Sequence, residues 1–208
     1  MTALACFKTY DVRGVVGSEI DEAIAYRIGR AFAQHLGAGR IVIGSDARLS
    51  GESLKKALAD GLMDAGADVI DIGLSGPEEM YFASFFLGVD GGIEVTASHN
   101  PANCNGFKFI GPNARPIGLA DEFSAIRQLA ETAAFKKVGR RGKLSTKSIL
   151  APYIDHLLRL VDAKRFRPHP GAQQQRRQRP RLGQPPPGAR RRRQGRAELW
   201  QLPGAGAR

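Results

Sequence analysis

A serine hydroxyl, an imidazole and an ammonium group fall within a dozen residues of one another in Thr96-Ala97-Ser98-His99-Asn100-Pro101 and the following Asn105-Gly106-Phe107-Lys108. Ser98 comes just after an apolar run, so it leaves a strand end in a tight polar turn whose backbone amides can surround an anion. A phosphoryl group there would bring roughly −1.5 to −2 charges and three acceptor oxygens. Such a group needs donors. His99 is adjacent, and Lys108 returns through Asn105-Gly106. Arg13, in the early loop Tyr10-Asp11-Val12-Arg13-Gly14, reaches the same rim if the first strand lies centrally. Lys108 is also a candidate for proton transfer, because burial and neighbouring cations lower a lysine's proton affinity.

Blander readings of the same residues stand beside this one. A Ser-His dipeptide before Asn100-Pro101 also fits a solvated turn, and Asp46 with Arg48 fits a local loop ion pair. Arg13 judged by position alone fits a structural role. Serine-hydrolase chemistry is disfavoured: the chain has no Gly-x-Ser-x-Gly elbow, and adjacent Ser98 and His99 diverge in an extended turn.

The elements that must carry these residues are legible from periodicity. Ile20, Ile24, Ile28, Ala31 and Phe32 recur at helical spacing, and that helix ends near Leu36-Gly37. Arg40 to Gly44 is a continuous apolar strand covered on both faces, followed by the polar loop Ser45 to Ser50. Ser50 to Gly66 returns to helical spacing, and Asp68 to Gly73 is a second strand. A helix from Pro77 to Leu87 and strands at Gly92–Thr96 and Asn105–Gly111 follow. Helices at Ala120–Thr132 and Ser148–Val161, with Arg140–Lys143 as an exposed turn between them, complete the pattern. Alternating helix and strand with short connections predict an α/β domain with a mainly parallel sheet. Ligands of such sheets gather beyond the carboxyl ends of the strands, so Ser45–Ser50 and Ala97–Asn103 should share one rim.

Charge divides the 208 residues sharply. The net +11 resides entirely in residues 165–208, which hold twelve arginines and one acid, Glu198; residues 1–164 balance. That tail is rich in Arg, Gln, Pro and Gly and poor in large apolar residues, which predicts disorder. Cys6 and Cys104 give neither a disulfide framework nor a metal-ligand spacing, and the start Met1-Thr2-Ala3-Leu4 is unlike a secretory leader. The longest apolar run, Met80 to Val89, is too short to span a bilayer and reads as a core segment. A cytoplasmic location without membrane association follows.

The serine motif with Asn105-Gly106-x-Lys108, together with Tyr10-Asp11-Val12-Arg13-Gly14, Gly44-Ser45-Asp46-Ala47-Arg48 and Gly91-Gly92-Ile93-Glu94-Val95, resembles the α-D-phosphohexomutases over residues 4–164. Cys6 to Asp11 and Ser75 to Ala83 look most like bacterial phosphomannomutases supplying mannose 1-phosphate for GDP-mannose. The resemblance implies a three-layer α/β/α first domain with a mixed, mainly parallel sheet over residues 1–135, closed by a turn and helix over 136–164. It implies that Ser98 carries a phosphoryl group to a hexose monophosphate and takes it back from the other oxygen of the bisphosphate. Lys108 would then act in proton transfer, and Arg13, His99 and Asn100 would support phosphate and substrate. A Mg²⁺ ion would touch the phosphate on Ser98. Cys104 departs from the polar residue expected there.

Members of that family continue for three further domains, which carry the aspartate-rich metal loop and the loops that read sugar and phosphate. No Asp-Gly-Asp-x-Asp pattern occurs in the chain. The expectation is a fragment inactive alone, with a hexose phosphate as substrate partner and an oligomeric state the sequence leaves open. Residues 165–208 are read as out-of-frame translation beginning near Arg165–His169. The competing reading is a non-catalytic basic module that binds nucleic acid through the arginine run Arg190–Arg193. No nucleic-acid fold accompanies that run, so no specific nucleic-acid partner is expected.

Overall fold

A computed structural model describes residues 3–117 and 120–161 of the chain. The expectations for residues 165–208, their disorder and their frame among them, lie outside the described residues.

Seven strands form one mixed sheet: β1 (Val12–Val15), β2 (Arg40–Ser45), β3 (Asp68–Leu74), β4 (Gly91–Val95), β5 (Cys104–Ile110), β6 (Pro116–Ile117) and β7 (Leu144–Thr146). They run in the order β1-β5-β4-β2-β3-β7, with β6 also on β5. Pairings of β2 with β3, β2 with β4 and β3 with β7 are parallel. Every pairing made by β5 is antiparallel, so six strands share one direction and β5 opposes them. The helices are α1 (Glu22–Leu36), α2 (Gly51–Asp64), α3 (Pro77–Phe86), α4 (Ala120–Thr132) and α5 (Leu150–Leu160).

Local chemistry fixes the helix ends. The Asp21 carboxylate accepts the Ile24 N–H at 2.7 Å and caps α1, and Gly37 closes it in the left-handed conformation. Pro77 occupies the first turn of α3, where its missing N–H costs nothing, and Glu79 accepts the Gly76 N–H at 2.9 Å.

The helices cover both faces. On one, α1, α2 and α4 bury a large apolar cluster that includes Ile28, Phe32, Leu58, Leu62, Phe107 and Ile126. A side chain at Gly61 would run into the Tyr26 carbonyl and one at Gly29 into the Leu58 carbonyl, so α1 and α2 cross at backbone contact. On the other face a smaller cluster gathers Val42, Ile72, Met80, Ala83, Ile110 and Ile149 under α3 and α5.

Two expectations need correction, and the condition set on Arg13 is not met. The first strand is not central: β1 ends the sheet beside β5, because the antiparallel return from β4 fills the slot between them. Residues 144–146, read as part of a connection, form the parallel strand β7 against β3. Met80–Val89 is only half core: Met80 and Ala83 are buried, whereas Phe85 is 74% exposed because it lies on the outer side of α3. Among the described residues no helix is long and apolar enough to cross a membrane.

Candidate active site

The β4–β5 connection carries Ser98, His99 and Asn100 beyond the carboxyl end of β4. Ala97 is buried, while Ser98 and His99 are exposed. Ser98 has φ = 55°, a left-handed backbone that a residue with a Cβ adopts only when its surroundings compel it. Local bonds supply part of the compulsion. The Ser98 N–H donates to the Thr96 hydroxyl oxygen at 3.0 Å, and the Asn100 side chain and backbone N–H both donate to the Ala97 carbonyl, at 2.7 and 3.1 Å.

Arg48, fifty residues earlier on the β2–α2 loop, binds the same turn. Its Nη2 donates to the carbonyls of Ser98 (2.9 Å) and Asn100 (2.8 Å), and its Nη1 to those of Pro101 (2.7 Å) and Cys104 (2.9 Å). Its Nε donates to Asp46 at 3.2 Å, and the other use of that carboxylate oxygen is to accept the Thr96 hydroxyl at 2.7 Å. The two rim loops therefore meet through a guanidinium whose side chain is 13% exposed. Asp46 and Arg48 do form the local ion pair that the sequence permitted, and Arg48 spans to the serine loop as well. Nothing local in the sequence marks that second role, since all four acceptors are backbone atoms. Beside these residues lies an open hollow of about 550 Å³ lined by Asp46, Ala47, Arg48, Leu49, Asn100 and Ala102.

Arg13 and Lys108 sit on the strands rather than on the loop. Arg13 of β1 faces Gly106 of β5 in the ladder, and Lys108 of β5 faces Glu94 of β4. Arg13 donates to Asp11 at 2.9 Å and lies against the ring of Tyr10, and the Asp11 hydrogen bond raises its already high pKa, so it is a fixed cation. Lys108 lines a second hollow of about 220 Å³ with Tyr10, Asp11, Tyr81 and Phe109. No hydrogen bond between described residues joins Arg13 or Lys108 to Ser98, His99 or Asn100. The candidate residues thus fall into two groups, three on the serine loop and two, Arg13 and Lys108, on β1 and β5.

Glu94 leads into the loop; in the sequence it figured only as part of Gly91–Val95, with no role of its own. It is fully buried on β4, accepts the Ser75 hydroxyl at 2.9 Å through Oε2, and leaves Oε1 without a partner. Burial pushes its carboxyl up to about 8, further raised by Asp46 and Glu79 against the lowering by Ser75 and Lys55, so it is mostly neutral at pH 7. Gly44 of β2 makes room for it: a side chain there would collide with the Ser75 hydroxyl and crowd Glu94.

Magnesium wants octahedral oxygen ligation from carboxylates, phosphate and water. Near Ser98 the Asp46 carboxylate is already engaged by Thr96 and Arg48. Among the described residues there is no cluster of three His, Cys, Asp or Glu able to hold a metal ion. By themselves they do not fit a Mg²⁺ site.

Residues 5–137 match the family model described as phosphoglucomutase/phosphomannomutase, alpha/beta/alpha domain I. The chain is 58% identical to a phosphomannomutase of Escherichia coli over 168 residues, which is 80% of this chain and 37% of that protein. It is 59% identical over 157 residues to a Klebsiella pneumoniae phosphomannomutase, covering 74% of this chain and all of that one. Among solved structures, a phosphoglucomutase/phosphomannomutase family protein from Burkholderia thailandensis superposes with a TM-score of 0.69 at 34% identity, over 76% of this chain and 36% of its own. The chain thus spans little more than a third of the length of several relatives.

Proposed function

The chain belongs to the phosphoglucomutase/phosphomannomutase family through its α/β/α domain I, and from that membership we infer that it is the serine-bearing part of a hexose-phosphate mutase of the phosphomannomutase type. The observation that carries this reading is Ser98 itself: exposed, left-handed, and held on a clamped loop at the carboxyl end of β4.

In the proposed reaction a hydroxyl oxygen of the hexose monophosphate forms a bond to phosphorus as the bond from phosphorus to Ser98 Oγ breaks. The proton released by the sugar hydroxyl ends on Ser98 Oγ, with Lys108 assigned to the transfer. After the bisphosphate turns around, the same exchange runs in reverse at its other phosphate, which restores the phosphoserine and releases the isomeric monophosphate. Such transfer depends on positioning and on neutralising the phosphoryl oxygens. Arg13, a fixed cation, is assigned to that neutralisation, and His99 and Asn100 on the loop to binding phosphate and substrate. The Mg²⁺ expected for the complete enzyme needs donors beyond the described ones, and so does a grip on the far side of the sugar. Turnover therefore requires polypeptide corresponding to the rest of the longer relatives, and mannose phosphate rather than glucose phosphate is the proposed substrate by likeness to those relatives.

The test is incubation of a fusion of residues 1–161 to the remaining length of the Escherichia coli relative with a hexose 1,6-bisphosphate and Mg²⁺, followed by mass spectrometry of its peptides. Phosphate is expected on Ser98 and is expected to vanish in Ser98→Ala, while the unfolding free energy stays within about 0.5 kcal/mol, as at other exposed positions. Phosphate on another residue, or undiminished incorporation in Ser98→Ala, would overturn the reading.

A further inference from the structure

The bonds from Arg48 impose an orientation on the serine loop that goes beyond holding it still. In a trans peptide the carbonyl of one residue and the N–H of the next point in opposite directions. Drawing the Ser98 and Pro101 carbonyls onto the guanidinium therefore sends the N–H groups of His99 and Ala102 to the other side of the loop. Neither N–H donates a hydrogen bond to a described residue, whereas those of Ser98, Asn100 and Cys104 are satisfied within the loop by Thr96, Ala97 and Pro101. The Asn100 carbonyl is followed by Pro101, which has no N–H to leave unpaired.

A cation on the oxygen side of a peptide polarises it and makes the opposite N–H a stronger donor, the more so where the cation is shielded from water. The Arg48 side chain as a whole is 13% exposed, and only its planar fork can serve four carbonyls and Asp46 together; a lysine ammonium has three donors and no fixed plane.

We propose that Arg48 is the positioning residue of the serine loop: its guanidinium fixes Ser98 in the left-handed conformation and presents the N–H groups of His99 and Ala102 to the oxygens of the phosphoryl group. The role rests on the reading of Ser98 as a phosphoryl carrier. Arg48 itself acts from the far side of the peptides and does not touch phosphate.

The experiment titrates the full ¹⁵N-labelled chain with inorganic phosphate and follows the backbone amide resonances. Those of His99 and Ala102 are expected to shift progressively, and those of Asn100 and Cys104 much less. Arg48→Lys should weaken the apparent phosphate affinity at least tenfold. Arg48→Ala should abolish the response, and added ethylguanidinium should restore part of it, which relief of a packing defect would not do. Should Arg48→Ala fail to fold, Arg48→Lys carries the comparison. A parent-like response in Arg48→Lys, or unmoved His99 and Ala102 amides in the parent, overturns the role. Either result together with phosphate found on Ser98 leaves the proposed function standing. Absence of phosphate on Ser98 removes that function and this role together.

Discussion

The two faces of the sheet are built from different materials. Under α1, α2 and α4 the core is dry: large aliphatic and aromatic side chains interlock, and Gly29 and Gly61 let two helices touch through their backbones. Under α3 the apolar cluster is smaller, and a fully buried glutamic acid, a serine pair and a missing side chain at Gly44 occupy space that more apolar packing would fill. Dry packing gives a rigid platform but offers nothing to orient a loop. The polar face lies along β4, the strand that delivers Ser98, so buried polar groups are tolerated where they adjoin chemistry and their cost is offset by the opposite face.

The hardest blow to this contrast is expected from Gly61→Val. Its side chain would drive into the Tyr26 carbonyl and prise α1 from α2, with a loss of about 4 kcal/mol or more, read as a collapse of the urea midpoint. A change below about 1 kcal/mol would mean the crossing is soft and the dry face is not the platform.

Glu94 probes the polar face through pH. Its folded pKa of about 8 lies above the ordinary 4.5 because burial disfavours the charged form. The folded state then holds this proton more tightly than the unfolded chain. Stability is therefore highest below the unfolded value, falls as pH rises between the two, and levels off above about 8. Between pH 5.5 and pH 8 the loss attributable to this carboxyl should be about 3 kcal/mol. Glu94→Gln, which cannot ionise, should flatten that slope in denaturation curves recorded across the window. An equally steep slope in the variant would assign the dependence elsewhere.

The smallest effect marks where the contrast stops mattering. Arg140 pairs with Asp68 at 2.9 Å near the amino end of β3, with both side chains well exposed. Water and salt screen such a pair, so Arg140→Ala should leave the urea midpoint almost unmoved and phosphate incorporation at Ser98 unchanged. A clear fall in the midpoint would show that the far end of the sheet shares the load of the two faces.

The chain's own letters determined the helices, the inner strands and the serine motif. Those signals are local: apolar spacing at 3.6 or 2 residues, Asp21 before a helix, Pro77 in a first turn and Gly37 after a last one. Residue types also singled out Ser98, Lys108, Arg13 and His99, the family resemblance added Asn100, and the fold sets the three loop members apart from the two strand members. Only the tertiary structure decided that β1 lies at the edge, that residues 144–146 pair with β3, that Glu94 is buried beside Ser75, and that Arg48 closes on four carbonyls. Each of these joins segments that only folding brings together, nineteen to seventy-five positions apart for the last three. Backbone carbonyls look alike at every position, and burial is a property of what packs on top, so neither leaves a periodic trace in the sequence.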